Sequence, residues 1–156
     1  MILTHGGVYK MRVYLDNCCF NRPYDDQTQL IIELETKAKL KIQEMVVNGE
    51  LELATSYILE QENDENPYLE RKTAIEDFFK YAIIDHDETQ EIIEIAKTAR
   101  TMGLKTKDSL HLACAIAANC DYLLTTDRRF LKYKDDRIKM LNPMQFLIEM
   151  EGAYDD

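Results

Sequence analysis

Four acidic residues hold telling positions: Asp16 directly after the apolar run 12–15, Glu62 after the run 51–56, Asp108 opening an Ala-rich stretch, and Asp127 directly after the run 122–126. If those runs are parallel strands, the carboxylates gather at one carboxyl edge of a sheet, where open α/β sheets bind ligands. Anionic side chains forced together repel unless they share protons or a cation neutralises them. A hard cation such as Mg²⁺ meets that need with oxygen ligands alone. Basic residues cluster nearby: Lys105, Lys107, Arg128, Arg129, Lys132 and Lys134 flank Asp108 and Asp127. Lys105, Lys107, Arg128 and Arg129 are the candidates for binding phosphates. Asn17 beside Asp16 could hydrogen-bond a phosphate or metal-bound water, or simply stabilise a turn. His111, three residues after Asp108 on the same helical side, could reach the acids or pack structurally.

The elements that must position these groups alternate. Residues 12–16 read as a short buried strand, followed by a loop over 21–26 and a helix over 27–47 that Asp25 or Asp26 can cap. In that helix Leu30, Ile31, Leu34, Ala38, Ile42, Met45 and Val46 recur at helical spacing, which leaves Glu33, Lys37, Lys39, Lys41 and Glu44 outside. Asn48-Gly49 stops it. A strand over 50–55, a helix from Ser56 broken before Pro67, a helix over 68–80 and a strand over 81–84 follow. Asp85 or Asp87 then caps a helix over 88–102 that ends at Gly103. A small-residue helix over 107–119, strands over 122–125 and 137–141, and a last helix opened by Pro143 complete the chain. Strands alternating with helices predict a three-layer α/β/α domain around a five-stranded parallel sheet with right-handed crossovers.

The 156 residues suit one domain, here residues 11–150, with an acidic tail at 151–156. Residues 1–10 precede the organised pattern and are expected to be a disordered or mis-annotated leader, with Met11 as the biological start. Gly6-Gly7, which a ribosome-binding sequence can encode, motivates that reading, and intact-mass measurement of native protein beginning at Met1 would refute it. No apolar run approaches the roughly 18 to 20 residues needed to cross a bilayer, and no secretory signal opens the chain, so a cytoplasmic location and no membrane partner are expected. Cys18, Cys19, Cys114 and Cys120 match no zinc-ligand spacing and read as reduced thiols. A net charge of −10 excludes a surface that coats itself nonspecifically with nucleic acid, since such binding draws on many Lys and Arg contacts. It leaves a nuclease open.

Residues 107–115, Lys-Asp-Ser-Leu-His-Leu-Ala-Cys-Ala, followed by residues 122–130, Tyr-Leu-Leu-Thr-Thr-Asp-Arg-Arg-Phe, resemble the C-terminal half of PIN-domain ribonucleases. Tyr14-Leu15-Asp16-Asn17 resembles the family's first strand with its terminal Asp, and the likeness extends over residues 11–147. It implies a PIN-like fold and metal-dependent RNA cleavage with Mg²⁺ or Mn²⁺. It often also implies a toxin role checked by a paired antitoxin, and a homodimer. Asp16, Asp108 and Asp127 fall on the family's acidic positions. The second acid maps from Ser56 to Glu62, with Glu60 as competitor; Glu62 is preferred because it lies three and four residues beyond the apolar Leu59 and Ile58. Thr125 resembles a family hydroxyl that supports the acids, with ordinary strand packing as the alternative. After Asp16 the chain departs from the family, since Asn17-Cys18-Cys19-Phe20-Asn21-Arg22-Pro23 replaces small hydroxyl and aliphatic residues. Two other readings stay open: another Mg²⁺-dependent phosphoryl-transfer domain, such as a receiver, and a PIN-fold interaction module without catalysis.

Overall fold

The computed structural model describes residues 2–4 and 7–155, with side-chain surroundings over residues 9–152. In chain order the elements are β1 (Ile2–Thr4), β2 (Gly7–Tyr9), β3 (Arg12–Leu15), α1 (Asn17–Asn21), a 3-10 turn (Arg22–Tyr24), α2 (Leu30–Val47), β4 (Glu52–Ser56), α3 (Tyr57–Asp64), α4 (Leu69–Phe79) and β5 (Ile84–His86). There follow α5 (Gln90–Thr101), α6 (Thr106–Ala117), β6 (Tyr122–Leu124), α7 (Arg128–Lys132), β7 (Lys139–Leu141) and α8 (Pro143–Asp155). Five strands form one parallel sheet in the order β5-β4-β3-β6-β7. The central strands are apolar on both faces, as a sheet covered by helices requires: Val13, Tyr14, Leu15, Leu53, Leu123 and Leu124 are fully buried. Helices α5 and α6 pack together, as do α2 and α8, with α6 against β4 and β6 and α8 against β7.

Several expectations shift. Within residues 1–10, Ile2–Thr4 and Gly7–Tyr9 form the antiparallel pair β1–β2, and the Tyr9 hydroxyl donates to Asp121 Oδ1 at 2.6 Å; Met1, His5 and Gly6 lie outside the described residues. Helix α8 runs to Asp155, through most of the acidic stretch 151–156, with Asp156 outside the described residues. Neither Asp25 nor Asp26 caps α2; Asp26 Oδ1 takes the Thr28 N–H and hydroxyl in a turn ahead of it. Thr89 caps α5 in place of Asp85 or Asp87. The third sheet strand starts three residues later than the apolar run 81–84, because Tyr81 and Ala82 still bond back to the end of α4 and pairing begins with Ile83 N to Leu53 O at 2.9 Å. Gly49 and Gly103 do end α2 and α5, at φ +78° and +102°, where a side chain is strained.

Helix α2 departs most from its sequence pattern. Leu30, Ile31 and Leu34 are exposed, whereas Glu35 and Lys39 are buried. Tertiary partners reverse the apolar logic: Arg22 clasps Glu35 through Nη2 at 2.9 Å, and Lys39 lies over the Phe20 and Phe78 rings while donating to Gln43. Burial lowers the Lys39 pKa to about 8.

Candidate functional site

Strand β3 is the hinge of the topology. From it the chain winds outward through β4 and β5, then crosses back to β6 and β7, so the strand order reverses at β3 and opens a crevice at its carboxyl end. Asp16 stands there. Its N–H donates to Leu124 O at 2.9 Å, so its backbone is still held by β6. Asp16 Oδ1 accepts from Asn17 N at 2.8 Å, and Oδ2 accepts from the Thr125 hydroxyl at 2.8 Å and the Cys18 thiol at 3.3 Å. The Thr125 hydroxyl also accepts the Asp127 N–H at 3.1 Å, so one buried oxygen fixes two acids. Asp127 in turn caps α7, its Oδ1 taking the Arg129 and Phe130 N–H groups. Helix capping by Asp16 and Asp127 therefore coexists with their place in the crevice. Asp108, which opens the Ala-rich stretch, does not cap the helix there: Lys105 holds that position and Asp108 sits in the first turn of α6.

Glu62 arrives from α3. Its helix is started by Ser56, whose hydroxyl accepts from Leu59 N, and Ile58 and Leu59 are buried, which carries Glu62 inward one turn later. There Glu62 Oε1 accepts from His111 Nε2, which also lies 3.6 Å from Asp16 Oδ1. His111 is 1% exposed, and its Nδ1 meets the Tyr14 hydroxyl at 2.6 Å, which meets Ser56 Oγ at 2.6 Å. A buried chain Ser56–Tyr14–His111–Glu62 thus runs beneath the acids. Burial disfavours charge on His111, yet the Glu62 hydrogen bond and the charges of Asp16, Glu62 and Asp108 outweigh it and raise its pKa. Burial also holds the Tyr14 hydroxyl protonated, well above its ordinary pKa. His111 is both structural and site-lining. Tyr14 escaped sequence reasoning because an aromatic in an apolar strand reads as core.

Asp16, Asn17, Glu62, Lys105, Lys107, Asp108 and Asp127 line one cleft of about 630 Å³, together with Cys18 and His111. Arg128 and Arg129 are exposed on α7 and do not line it. Glu60 faces elsewhere, into a recess with Asn63, Asp64 and Glu76. Burial first, then the charges of Asp16 and Asp127, push the Asp108 carboxyl up to about 6. That is the mark of carboxylates lacking a countercharge. The carboxylate oxygens of the cleft fit a hard cation. Among the described residues, however, no group of three or more His, Cys, Asp or Glu side chains stands close enough to enclose one; Glu62 is engaged by His111 and Asp16 by Asn17, Cys18 and Thr125.

The PIN-domain profile matches residues 13–136, most of the chain and the whole of this crevice. The chain belongs to the PIN-domain family. No protein of curated function matches it. Among solved structures, this PIN domain is similar to a chain of VapBC2 from Rickettsia felis, determined bound to a DNA fragment from its promoter, at TM-score 0.55 and 16% identity over 85% of this chain and 98% of that one. It is also similar to a chain of DNA-bound VapBC from Salmonella typhimurium, at TM-score 0.54 and 13% identity, with the same coverage. At such identity the likeness establishes the PIN fold alone. The family match sets aside the receiver-like alternative. Among the described residues no helix is long and apolar enough to cross a membrane.

Proposed function

We propose that this PIN domain is a divalent-metal-dependent endoribonuclease that hydrolyses RNA phosphodiester bonds. One observation carries the reading: the four acids of separate elements and two lysines line a single cleft at the switch point of the sheet. Asp16 and Asp108 would hold Mg²⁺ or Mn²⁺ directly, with Glu62 and Asp127 binding it directly or through water. Such an ion supplies a lowered pKa for the attacking water and neutralises charge at the leaving oxygen. The chain's own groups do the rest. Thr125 fixes the Asp16 carboxylate, and His111 orients Glu62 by donating from Nε2. Lys105 and Lys107 bind phosphates flanking the cleaved bond, and the Asn17 side chain, tied to Asn21 Nδ2 at 3.1 Å, borders the phosphate path.

The family and the VapBC likeness support a small paired antitoxin as the protein partner of a cytoplasmic toxin. The exposed Leu30, Ile31 and Leu34 on α2 suit a homodimer. The activity is tested by incubating the purified protein with a panel of single-stranded RNAs and Mn²⁺. Asp16→Asn and Asp108→Asn should lose cleavage while keeping their fold; undiminished cleavage by both refutes the assignment. An inactive wild type that forms a stable complex with a protein partner would favour the interaction module.

A further inference from the structure

Beyond Glu62 the acidic cleft continues into a recess of about 230 Å³ that shares Asn17, Asn21 and Glu62 with it and is walled on the far side by Pro67, Tyr68 and Arg71. Arg71, in the first turn of α4, stacks between two aromatic rings, with Cζ 4.0 Å from the Tyr68 centroid and 4.8 Å from that of Tyr24. This chain has 29 acidic residues against 19 basic ones, and Arg12, Arg22 and Arg137 are all paired with carboxylates. Among the described residues Arg71 has no such partner. Held over the rings without a carboxylate partner, its guanidinium keeps N–H donors for a planar or tetrahedral anion. Tyr68 is 56% exposed although its backbone is pinned, its N–H bonded to Asn66 Oδ1 at 3.1 Å just after Pro67. With Arg71 over one face, the exposed remainder of the Tyr68 ring is available for a base to stack on.

The recess also completes a charge pattern. Lys105 and Lys107 line the cleft that holds the acids, and Arg71 lines the recess that shares Asn17, Asn21 and Glu62 with it. A chain of phosphates laid through the cleft and into the recess would meet cations in both.

We propose that Tyr68 and Arg71, buttressed by Tyr24, form a nucleotide subsite next to the scissile phosphate. The base stacks on the Tyr68 ring and its phosphate pairs with the Arg71 guanidinium. Only an unpaired base can leave its neighbours to stack on a side chain, so the substrate is single-stranded RNA. The inference rests on the ribonuclease reading above and specifies how that site takes its substrate.

The test measures cleavage of a fluorescent single-stranded oligoribonucleotide with Mn²⁺, and its binding by anisotropy, for the wild type, Tyr68→Ala, Tyr68→Trp, Arg71→Ala and Asp16→Asn. Tyr68→Ala and Arg71→Ala are each expected to raise KM and Kd about tenfold with kcat within a few-fold, and Tyr68→Trp to restore both. A duplex of the same sequence should bind and cleave at least tenfold worse. Wild-type KM and Kd in both alanine variants, or equal cleavage of the duplex, overturns the subsite while leaving the nuclease standing. Loss of RNA binding in Tyr68→Ala alongside a wild type that binds but never cuts supports the subsite and overturns the nuclease; full cleavage by Asp16→Asn overturns the metal-site assignment and leaves the subsite to be decided by the Tyr68 and Arg71 variants. Unchanged RNA binding with weakened capture of an antitoxin-type protein assigns the patch to a protein partner and overturns the proposal.

Discussion

Two groups of carboxylates crowd the carboxyl edge of this sheet, and they share an electrostatic symptom. In the central crevice burial and the charges of Asp16 and Asp127 push Asp108 up to about 6; at the edge strand a hydrogen bond to Asp85, burial, and the charges of Asp85, Asp64 and Asp87 push Glu60 up to about 7. What lies beneath them differs. Asp16 and Glu62 are held by Thr125, His111, Tyr14 and Ser56, all nearly or fully buried, whereas Glu60 and Asp64 on α3, Asp85 on the edge strand β5 and Asp87 just after it are all exposed. A raised carboxyl pKa therefore does not mark a site by itself. Buried donors that fix carboxylates in place, with cations on the rim, separate a candidate reaction centre from a crowded surface.

The largest expected contrast is in activity. Asp16→Asn should lower Mn²⁺-dependent RNA cleavage at least about a hundredfold, whereas Glu60→Gln should stay within about twofold, read as single-turnover rates. Equal losses would erase the distinction between the two groups. A smaller contrast lies in the supporting hydroxyls. Tyr14→Phe leaves Ser56 Oγ and His111 Nδ1 short of a partner in the core and should cost about 1–3 kcal/mol in urea unfolding. Thr55→Val, which removes a 3.1 Å bond to the exposed Asp85, should cost less than about 1 kcal/mol. The smallest contrast is in pH dependence. Glu60 in the fold titrates near 7 against 4.5 for the unstructured group, so the folded state holds an extra proton between those values and stability falls as pH climbs through that window. Glu60→Gln should flatten that fall in melting temperature between pH 4.5 and 7; an unchanged slope would remove Glu60 as its source.

The sequence carried the central group better than its supports. Asp16 and Asp127 were legible because each directly follows an apolar strand, and Glu62 over Glu60 because helical spacing turns it toward Ile58 and Leu59. Tyr14, Ser56 and His111 lie 42 and 97 positions apart along the chain, and only the parallel register of β3 with β4 and the packing of α6 bring them together. The same blindness to tertiary partners misplaced Lys39 and passed over Glu35, since periodicity cannot know that Phe20, Phe78 and Arg22 wait on the inner side of α2. At the edge, β5 needs no apolar run because one of its sides is unpaired, so the run 81–84 marked the approach to the strand and not the strand itself.

The most direct measurement is Mn²⁺ binding by electron paramagnetic resonance, at pH 7.5, to the wild type, Asp108→Asn and Glu60→Gln. The expected result is equal affinity in the wild type and Glu60→Gln and at least about a tenfold loss in Asp108→Asn. Affinity unchanged in Asp108→Asn, or lost in Glu60→Gln instead, would contradict the assignment of the central cleft as the metal centre.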